Sequence, residues 1–401
     1  MKKEVEILKL DHGGRGIAYI DSVITFVHGA LPGEIVLVEI ISPGPKYNIA
    51  KAVDIKKNSP KRVSPKCPYA ASCGGCALMS LSYKDTLEYK KNKVSEILTK
   101  YAKLNPEIEM IKSPDIYNYR NKIRFQLVAG KINYFEYDSN NLTNINKCLI
   151  AKRAINDFLD DISYLNIKDA EVSIRCNYND ELLIIIESKE KNNIEIQHLK
   201  DRHKIVGVIF NKKTVYGEPY FMEMINGKLF RVSYDAFFQI NNFINKEIFR
   251  LLNHHILENA RVLDLYCGVG TLGISIACKV SSVSGIEIIP NATRDALINS
   301  KMNKIKNINF FLGSVSEVIK KTPTDFDALI IDPPRSGLMK RDLEIIMNMK
   351  PKQIIYISCD AMTLARDLNI IKKDYEIDKF YLLDMFPYTY HVENMCTLSL
   401  K

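Results

Sequence analysis

The sequence lacks any apolar run long enough to span a membrane. A spanning helix needs roughly 18 consecutive apolar residues, and no stretch of the 401 residues approaches this length. The chain also lacks internal repeats and low-complexity segments, and its start, Met-Lys-Lys-Glu, leads into strand-like sequence instead of an apolar signal segment. These absences favour a folded cytoplasmic protein without membrane association. Since single domains usually hold about 100–200 residues, we expect two or three domains.

A net positive charge is absent outside the first third of the chain. Residues 1–131 contain 22 Lys and Arg against 13 Asp and Glu, whereas the remainder contains 34 of each sign, so the whole net charge of +9 is N-terminal. Basic surfaces give sequence-independent affinity for phosphate backbones. This distribution favours a polyanion such as RNA as partner, although solvated lysines alone would give the same count.

Nine cysteines in a chain of this length do not indicate a disulfide framework. Three of them, Cys67, Cys73 and Cys76, lie on one short segment around two glycines, and a fourth ligand would have to come from elsewhere, with Cys148 as the natural candidate. Four thiolates suit either a [4Fe-4S] cluster or tetrahedral zinc. We therefore expect a metal site here and leave both metals open on this basis.

Apolar patterning predicts three structural regions. Short alternating runs in residues 5–55, broken by Gly and Pro, indicate a small barrel of about five strands. A mixed α+β region follows, and the last region alternates helices with short apolar strands, which is typical of a doubly wound, mostly parallel α/β sheet. The predicted domains are 1–57, 58–220 and 221–401, with a helix at 81–101 that packs on the third. The last region's predicted strands are 261–265, 283–287, 308–312, 328–331, 353–358 and 379–384.

A glycine-rich turn at residues 264–270 follows the first of those strands. Its sequence, Asp-Leu-Tyr-Cys-Gly-Val-Gly, is not the dinucleotide G-x-G-x-x-G signature. Glu287 ends the next strand, where a carboxylate can accept hydrogen bonds from both hydroxyls of a ribose. The turn with this Glu resembles the S-adenosylmethionine site of class I methyltransferases, and a nicotinamide-binding protein is the main alternative.

A single thiol, Cys359, follows the strand 353–358, and the segment Asp-Pro-Pro-Arg at 332–335 precedes it by about 24 residues. A thiolate next to a methyl donor suits methylation of uracil at C5, because addition to C6 makes the otherwise unreactive C5 nucleophilic. This chemistry needs a nucleophile, a hydrogen-bond donor and a base. Cys359, Asp332 with Arg335, and Glu393 are the candidates.

Several motifs in the same order resemble the RNA uridine-C5 methyltransferase family, in particular its 23S rRNA (uracil-5-)-methyltransferase branch. They are residues 237–241, 264–270, 332–337, 358–360 with 363–367, and 391–393. The resemblance implies Cys359 as the nucleophile and Glu393 as the base that removes the C5 proton. It further implies that S-adenosylmethionine is bound by Gln239, Tyr266, Thr271, Glu287 and Asp332.

The same resemblance extends to the N-terminal half. Residues 13–16 and 30–34 resemble a TRAM domain, an RNA-binding barrel of the oligonucleotide-binding type, and the C-x5-C-G-G-C pattern resembles the family's iron-sulfur module, which implies a [4Fe-4S] cluster on Cys67, Cys73, Cys76 and Cys148. The implied partner is 23S ribosomal RNA, and we expect a monomer without an obligate protein partner. The alternatives are a tRNA uridine-C5 methyltransferase and a non-catalytic iron-sulfur RNA-binding protein.

Overall fold

The computed structural model describes residues 2–191, 194–321 and 325–401. Its strands are β1 (Lys2–Glu6), β2 (Lys9–Leu10), β3 (Gly16–Ile20), β4 (Val23–His28), β5 (Ile35–Ser42), β6 (Tyr47–Lys57), β7 (Ile108–Ile111), β8 (Lys122–Val128), β9 (Lys131–Phe135), β10 (Leu142–Asn144), β11 (Ala170–Cys176), β12 (Leu182–Glu187), β13 (Ile205–Phe210), β14 (Lys213–Gly217), β15 (Tyr220–Ile225), β16 (Lys228–Ser233), β17 (Arg261–Leu265), β18 (Ser282–Glu287), β19 (Ile308–Leu312), β20 (Ala328–Ile331), β21 (Gln353–Ser358), β22 (Tyr375–Leu383) and β23 (Glu393–Leu400). The α-helices are α1 (Tyr83–Ile97), α2 (Arg153–Asp160), α3 (Ile196–Arg202), α4 (Asn242–His255), α5 (Thr271–Ile276), α6 (Pro290–Met302), α7 (Val315–Val318), α8 (Lys340–Met349) and α9 (Ala361–Ile371). Short π-helical and 3-10 turns occupy Leu98–Ala102, Ile162–Leu165 and Ile319–Lys321.

Two compact units divide the chain. The first comprises Met1–Lys93, Ile132–Leu149 and Phe386–His391, and the second comprises Val94–Lys131, Ile150–Met385 and Val392–Lys401.

The first unit contains a six-stranded sheet in the order β1-β5-β6-β4-β3-β2. Residues two apart in a strand point to the same face, and the alternating apolar residues Ala18, Val27, Val36, Val38 and Ala50 are each 0% exposed and form the core of this sheet. The sequence pattern predicted about five strands. The sixth arises because the first apolar run divides into β1 and the two-residue β2.

The second unit contains an eight-stranded sheet in the order β19-β18-β17-β20-β21-β23-β22-β7. Strands β19 to β21 are parallel, whereas β23 runs antiparallel to both β21 and β22. The chain leaves β17 toward β18 on one side and returns with β20 on the other, so the strand order reverses at β17. Ligands bind at the carboxyl ends of strands beside such a reversal, which directs attention to the residues after β17 and β20.

The core of this sheet is almost entirely aliphatic. Leu263, Leu329, Ile331 and Ile354 are 0% exposed, and truncating one such side chain to Ala typically costs about 2–5 kcal/mol of stability. The end of α1 and the π-helical turn add Val94, Ile97, Leu98 and Ala102 to the same core. A second sheet of this unit contains β8, β11, β12, β13 and β14, and the hairpin β15–β16 follows it in the chain.

Candidate active site

The candidate catalytic residues lie at one edge of the eight-stranded sheet. Tyr266, Asp332 and Cys359 directly follow the parallel strands β17, β20 and β21, and Glu287 is the last residue of β18. Because β23 is antiparallel to them, its first residue, Glu393, lies at this same edge. The fold therefore brings together five residues that are spread over 128 positions of sequence.

The glycine-rich turn is held by the carboxylate of Glu287. Tyr266 and Gly268 have left-handed backbone angles, with φ of 62° and 55°, which turn the chain sharply after β17. The Gly268 N–H then donates to Glu287 Oε2 at 2.9 Å, and the Ile289 N–H donates to Oε1 at 2.8 Å. A carboxylate oxygen can accept more than one hydrogen bond, so Glu287 keeps acceptor capacity for a ligand hydroxyl.

Asp264, the first residue of the turn motif, has a structural position. Its side chain is 0% exposed, and its Oδ2 accepts a hydrogen bond from the Gly273 N–H at 3.0 Å in the first turn of α5. Burial raises the pKa of Asp264 to about 8, because a charged carboxylate is poorly solvated there. Asp264 therefore fixes the start of α5 against β17.

A cavity opens beside this turn. Four of the five predicted cofactor residues line it, namely Gln239, Tyr266, Thr271 and Asp332, while Glu287 reaches the turn through Gly268. Sequence reasoning missed most of the remaining wall, which is largely apolar. These other lining residues are Phe237, Phe238, Asn245, Ile248, Cys267, Gly268, Val269, Leu272 and Ile357.

The register of β21 and β23 explains why Cys359 and Glu393 meet although 34 residues separate them. Ile357 pairs with Met395 and Ser358 pairs with Asn394, so one further step sets Cys359 opposite Glu393. The Asn394 side chain donates to the Ser358 carbonyl at 3.0 Å, which fixes this end of the ladder. Glu393 is 1% exposed, whereas Cys359 is half-buried and partly open to solvent.

Electrostatics keep both groups protonated in the protein alone. The pKa of the Cys359 thiol is raised to about 11, because burial and the neighbouring Glu393 and Asp332 carboxyls together outweigh the opposing charge and hydrogen bond of Arg335. Burial also raises the pKa of Glu393 well above its ordinary value, with a further contribution from Asp332. The thiol thus needs added positive charge, or loss of a nearby negative charge, to become a nucleophile.

The loop that carries Arg335 is anchored to α9, the helix that begins two residues after Cys359. Thr363 Oγ1 donates to the Arg335 carbonyl at 3.2 Å, and Arg366 Nη2 donates to the Leu338 carbonyl at 2.9 Å. The Leu338 N–H in turn donates to Asp367 Oδ2 at 3.0 Å. Two separate sequence motifs are thereby joined, which holds the guanidinium beside the thiol.

The aromatic pair at 237–238 separates into two environments. Phe238 is 7% exposed and packs edge-on against Phe221, with ring centroids 6.2 Å apart. Phe237 is 69% exposed at the cavity. Only Phe237 of this pair offers a ring face on which a base can stack.

Two segments of the first unit carry the four cysteines that the sequence predicts as metal ligands. Cys67, Cys73, Cys76 and Cys148 are all half-buried. The Gly74 N–H donates to the Phe135 carbonyl at 2.9 Å, and the Asn146 N–H donates to Tyr69 Oη at 3.1 Å, so hydrogen bonds tie both segments together.

The side chain of Tyr137 lies near three of these cysteines, Cys67, Cys73 and Cys76. Burial raises its pKa, and the charges of Cys76, Cys73 and Cys67 raise it further. Within the described residues, however, no three His, Cys, Asp or Glu side chains form a group able to hold one metal ion.

No helix in the described ranges is both long and apolar enough to cross a membrane.

Comparison with known proteins gives two family matches. The tRNA (Uracil-5-)-methyltransferase family matches residues 82–401, and the TRAM domain matches residues 2–53. An uncharacterized RNA methyltransferase of Caldanaerobacter subterraneus subsp. tengcongensis is 33% identical over 99% of this chain and 98% of its own length. One from Listeria innocua serovar 6a is 30% identical over 99% and 97%.

Among solved structures, the tRNA (uracil-54, C5)-methyltransferase of Pyrococcus abyssi in complex with S-adenosyl-L-homocysteine is similar to this chain. It has a TM-score of 0.82 and 25% identity, covering 98% of this chain and 99% of that one. The chain therefore belongs to the tRNA (uracil-5-)-methyltransferase family, and it is an S-adenosylmethionine-dependent RNA methyltransferase with an N-terminal TRAM domain.

Proposed function

We propose that this protein methylates C5 of a uridine in RNA, with Cys359 as covalent nucleophile and Glu393 as base. The observation that carries this proposal is the β21–β23 register, which sets the two residues opposite each other. Asp332, whose charge acts on both side chains, also lines the cavity. Family membership supports the reaction type, while the residue roles rest on this geometry.

In the proposed reaction, the Cys359 sulfur bonds to C6 of the uracil, and the electrons of the C5–C6 double bond move onto the ring oxygen as an enolate. S-Adenosylmethionine supplies an electrophilic methyl group. C5 would then bond to that methyl carbon as the methyl–sulfur bond breaks, which leaves S-adenosylhomocysteine. Glu393, in its ionised form, accepts the C5 proton, and the C6–S bond breaks to restore the double bond and release the thiolate. Arg335 stabilises the thiolate at the start and at the end of this sequence.

For the cofactor we propose contacts with Gln239, Tyr266, Thr271, Glu287 and Asp332. The Glu287 carboxylate fits a ribose diol, because two backbone N–H groups already orient it. Tyr266 has its hydroxyl directed to Asp342 Oδ2 at 2.7 Å, so its contribution to the cavity is the ring.

A 5-fluorouridine RNA tests the covalent step, because fluorine at C5 cannot leave as a cation and the enzyme–RNA adduct persists. Wild-type protein with S-adenosylmethionine should form a denaturation-resistant adduct, and Cys359→Ala should form none. Cys278→Ala, which removes an exposed thiol, serves as the matched control. Adduct formation by Cys359→Ala at the wild-type level would remove this thiol from the mechanism.

As substrate we propose 23S ribosomal RNA, on the basis of the resemblance to that branch in the barrel and the cysteine motif. Transfer RNA is the second candidate, and the Pyrococcus abyssi neighbour favours it. Because that neighbour spans nearly the whole of this chain, possession of an N-terminal barrel does not separate the two substrates. Nucleoside mapping of the 23S and tRNA fractions from a strain lacking the gene distinguishes them, since 5-methyluridine should be missing from one fraction only.

We further propose that Cys67, Cys73, Cys76 and Cys148 hold a [4Fe-4S] cluster with a structural role. Four thiolates in one unit fit the donor set of such a cluster. Gly74 also suits the site, because a Cβ there would lie 2.9 Å from the Phe135 carbonyl oxygen and would push the loop away. Anaerobic purification should yield stoichiometric iron and acid-labile sulfide, and stoichiometric zinc without iron would refute the assignment.

A further inference from the structure

A cluster of positive side chains occupies the beginning of β8 in the second unit. Lys122 and Arg124 share one face of β8, because they are two residues apart, and Arg175 on β11 pairs directly with Lys122 across the sheet. Arg120 precedes the strand, and its Nε donates to the Lys122 carbonyl at 2.8 Å. Four cationic side chains are thus gathered at one strand end.

Two of these cations are unusually poor in counter-charge. Arg175 is only 5% exposed, and its Nε is buried without a hydrogen-bond partner in the described part of the chain. Its guanidinium donates to the Ala236 carbonyl at 2.7 Å and lies 5.8 Å from the centre of the Phe221 ring. Of the nearby carboxylates, Asp235 favours its charged form.

Lys122 lies in a still more positive setting. Its pKa is lowered to about 8 by burial together with the charges of Arg175, Arg124 and Arg120. Arg124 has Glu171 as a partner, whereas Lys122 forms no ion pair with any described residue. Gathering like charges in a partly desolvated place opposes folding, so such a cluster indicates a site for an anion.

The cluster is directly connected to the segment that lines the cavity. Arg175 binds the Ala236 carbonyl, and the Asn121 side chain donates to the Gln239 carbonyl at 3.1 Å. The Asn121 N–H also donates to the Ile240 carbonyl at 2.9 Å. These hydrogen bonds lie on both sides of the exposed Phe237 in sequence, so the strand end that carries Lys122 is hydrogen-bonded to the segment that carries this ring.

We propose that Lys122, flanked by Arg120 and Arg124 and supported from behind by the buried Arg175, binds a phosphodiester of the RNA strand next to the target nucleotide. This proposal rests on the function proposed above. A phosphate supplies the negative charge that the described surroundings of Lys122 lack, and it carries the acceptor oxygens that an ammonium group needs. Lys122 contacts the phosphate, whereas Arg175 is a positioning residue.

Salt dependence of RNA binding tests the site, because each lysine–phosphate contact releases counterions. With a single-stranded oligouridylate as probe, Lys122→Gln should weaken binding at low salt by about tenfold and reduce the slope of log K against log salt by about 0.7–1. Lys122→Arg should retain most of the slope. Lys213→Gln, which removes the same charge from an exposed position on β14, should leave it nearly unchanged.

Affinity for S-adenosylmethionine is measured on the same variants, since the carboxylate of the cofactor is the other anion of suitable chemistry. An unchanged cofactor affinity in Lys122→Gln supports the phosphate assignment. A wild-type salt slope in this variant, a slope equal to that of Lys213→Gln, or loss of cofactor binding in its place would each overturn the proposal.

The yield of the 5-fluorouridine adduct separates this inference from the proposed function. Lys213→Gln, which lies outside the proposed phosphate site, should reach the wild-type yield of the Cys359 adduct. Absence of an adduct in the wild-type protein would contradict the proposed function, while the salt slopes would still report on the phosphate site.

Discussion

Replacement of Arg335 by Gln should make Cys359 markedly less reactive. Arg335 is the positive group that hydrogen-bonds the thiol and opposes the burial, Glu393 and Asp332 that together raise its pKa to about 11. Near pH 8 only about one Cys359 in a thousand is therefore a thiolate in the resting protein. Loss of the guanidinium removes its contribution and raises the pKa further.

The expected size of this change follows from the exposure of Arg335. A charge pair at roughly 4 Å is worth about 4 kcal/mol at an effective dielectric constant of 20 and about 1 kcal/mol in water. Because the arginine is exposed, the lower value applies, and about 1.4 kcal/mol corresponds to one pKa unit. The pKa of Cys359 should therefore rise by about 0.7 unit, and since the thiolate is the reactive form, alkylation of Cys359 below its pKa should slow about fivefold.

Pulsed alkylation with iodoacetamide over a pH series measures this reactivity without RNA or cofactor. Mass spectrometry of the Cys359 peptide gives the rate, and the exposed Cys278 in the same sample provides an internal reference. Arg341→Gln removes an equal charge from an exposed position on α8 and is the matched control. The rate profile of Arg335→Gln should shift to higher pH, whereas that of Arg341→Gln should coincide with wild type.

An equal ratio of Cys359 to Cys278 alkylation in Arg335→Gln and wild type would show that Arg335 does not lower the pKa of Cys359. An equal decrease in Arg341→Gln would show that the effect reflects total charge and not the local hydrogen bond.

Three further changes address the loop, the cavity and the turn. Gly337→Ala should destabilise the protein by about 1–3 kcal/mol more than Gly227→Ala in urea unfolding. Both glycines have positive φ, but only at Gly337 would the new Cβ lie 2.8 Å from the Cβ of Thr363, which is fixed to the backbone of α9; equal losses would contradict this. Because the chain contains no tryptophan, Phe237→Trp gives a single tryptophan, which can be excited selectively over tyrosine; its emission should be quenched by substrate RNA, and unaltered emission would exclude stacking. Glu287→Gln should weaken S-adenosylmethionine binding at least tenfold by calorimetry, with the exposed Glu344→Gln as an unaffected control.

The strand ends of the catalytic sheet could be predicted from sequence because parallel strands have a strong local signal. Short apolar runs separated by helical periodicity gave the bounds of β17, β19, β20 and β21 without error. β18 begins one residue earlier than predicted, at Ser282, and β22 spans Tyr375–Leu383 instead of 379–384. Once the strands are known, Tyr266, Asp332 and Cys359 follow as neighbours, because carboxyl ends of parallel strands share an edge.

The partnership of Cys359 with Glu393 could not be derived this way. It depends on β23 inserting between β21 and β22 in antiparallel orientation, and apolar periodicity does not reveal which strand is a neighbour of which. Resemblance to a family supplied the candidate, and the register supplies the geometry. The apolar wall of the cavity was missed for a related reason, since residues such as Ile248 and Leu272 have ordinary helical spacing.

The pairing of Lys122 with Arg175 could not be derived from the sequence pattern either. The basic segment at 119–124 is visible in sequence. Arg175, which pairs with Lys122 across the sheet, is more than 50 residues away in sequence and lies in an ordinary apolar strand pattern. Only the antiparallel pairing of β8 with β11 makes the two charges adjacent, and only burial makes their adjacency costly.

Three ionisable groups at the edge of the eight-stranded sheet share one electrostatic environment. Burial favours the protonated forms of Asp332, Glu393 and Cys359, because each anion would lose solvation there, and the charge of Arg335 offsets this only in part for Cys359 and Glu393. If the methyl donor binds in the cavity that Asp332 lines, as proposed above, its sulfonium charge would lower the cost of ionising these groups. On that proposal, cofactor binding and ionisation of the Cys359 thiol would be coupled through electrostatics, and the thiol would be least reactive in the protein without cofactor.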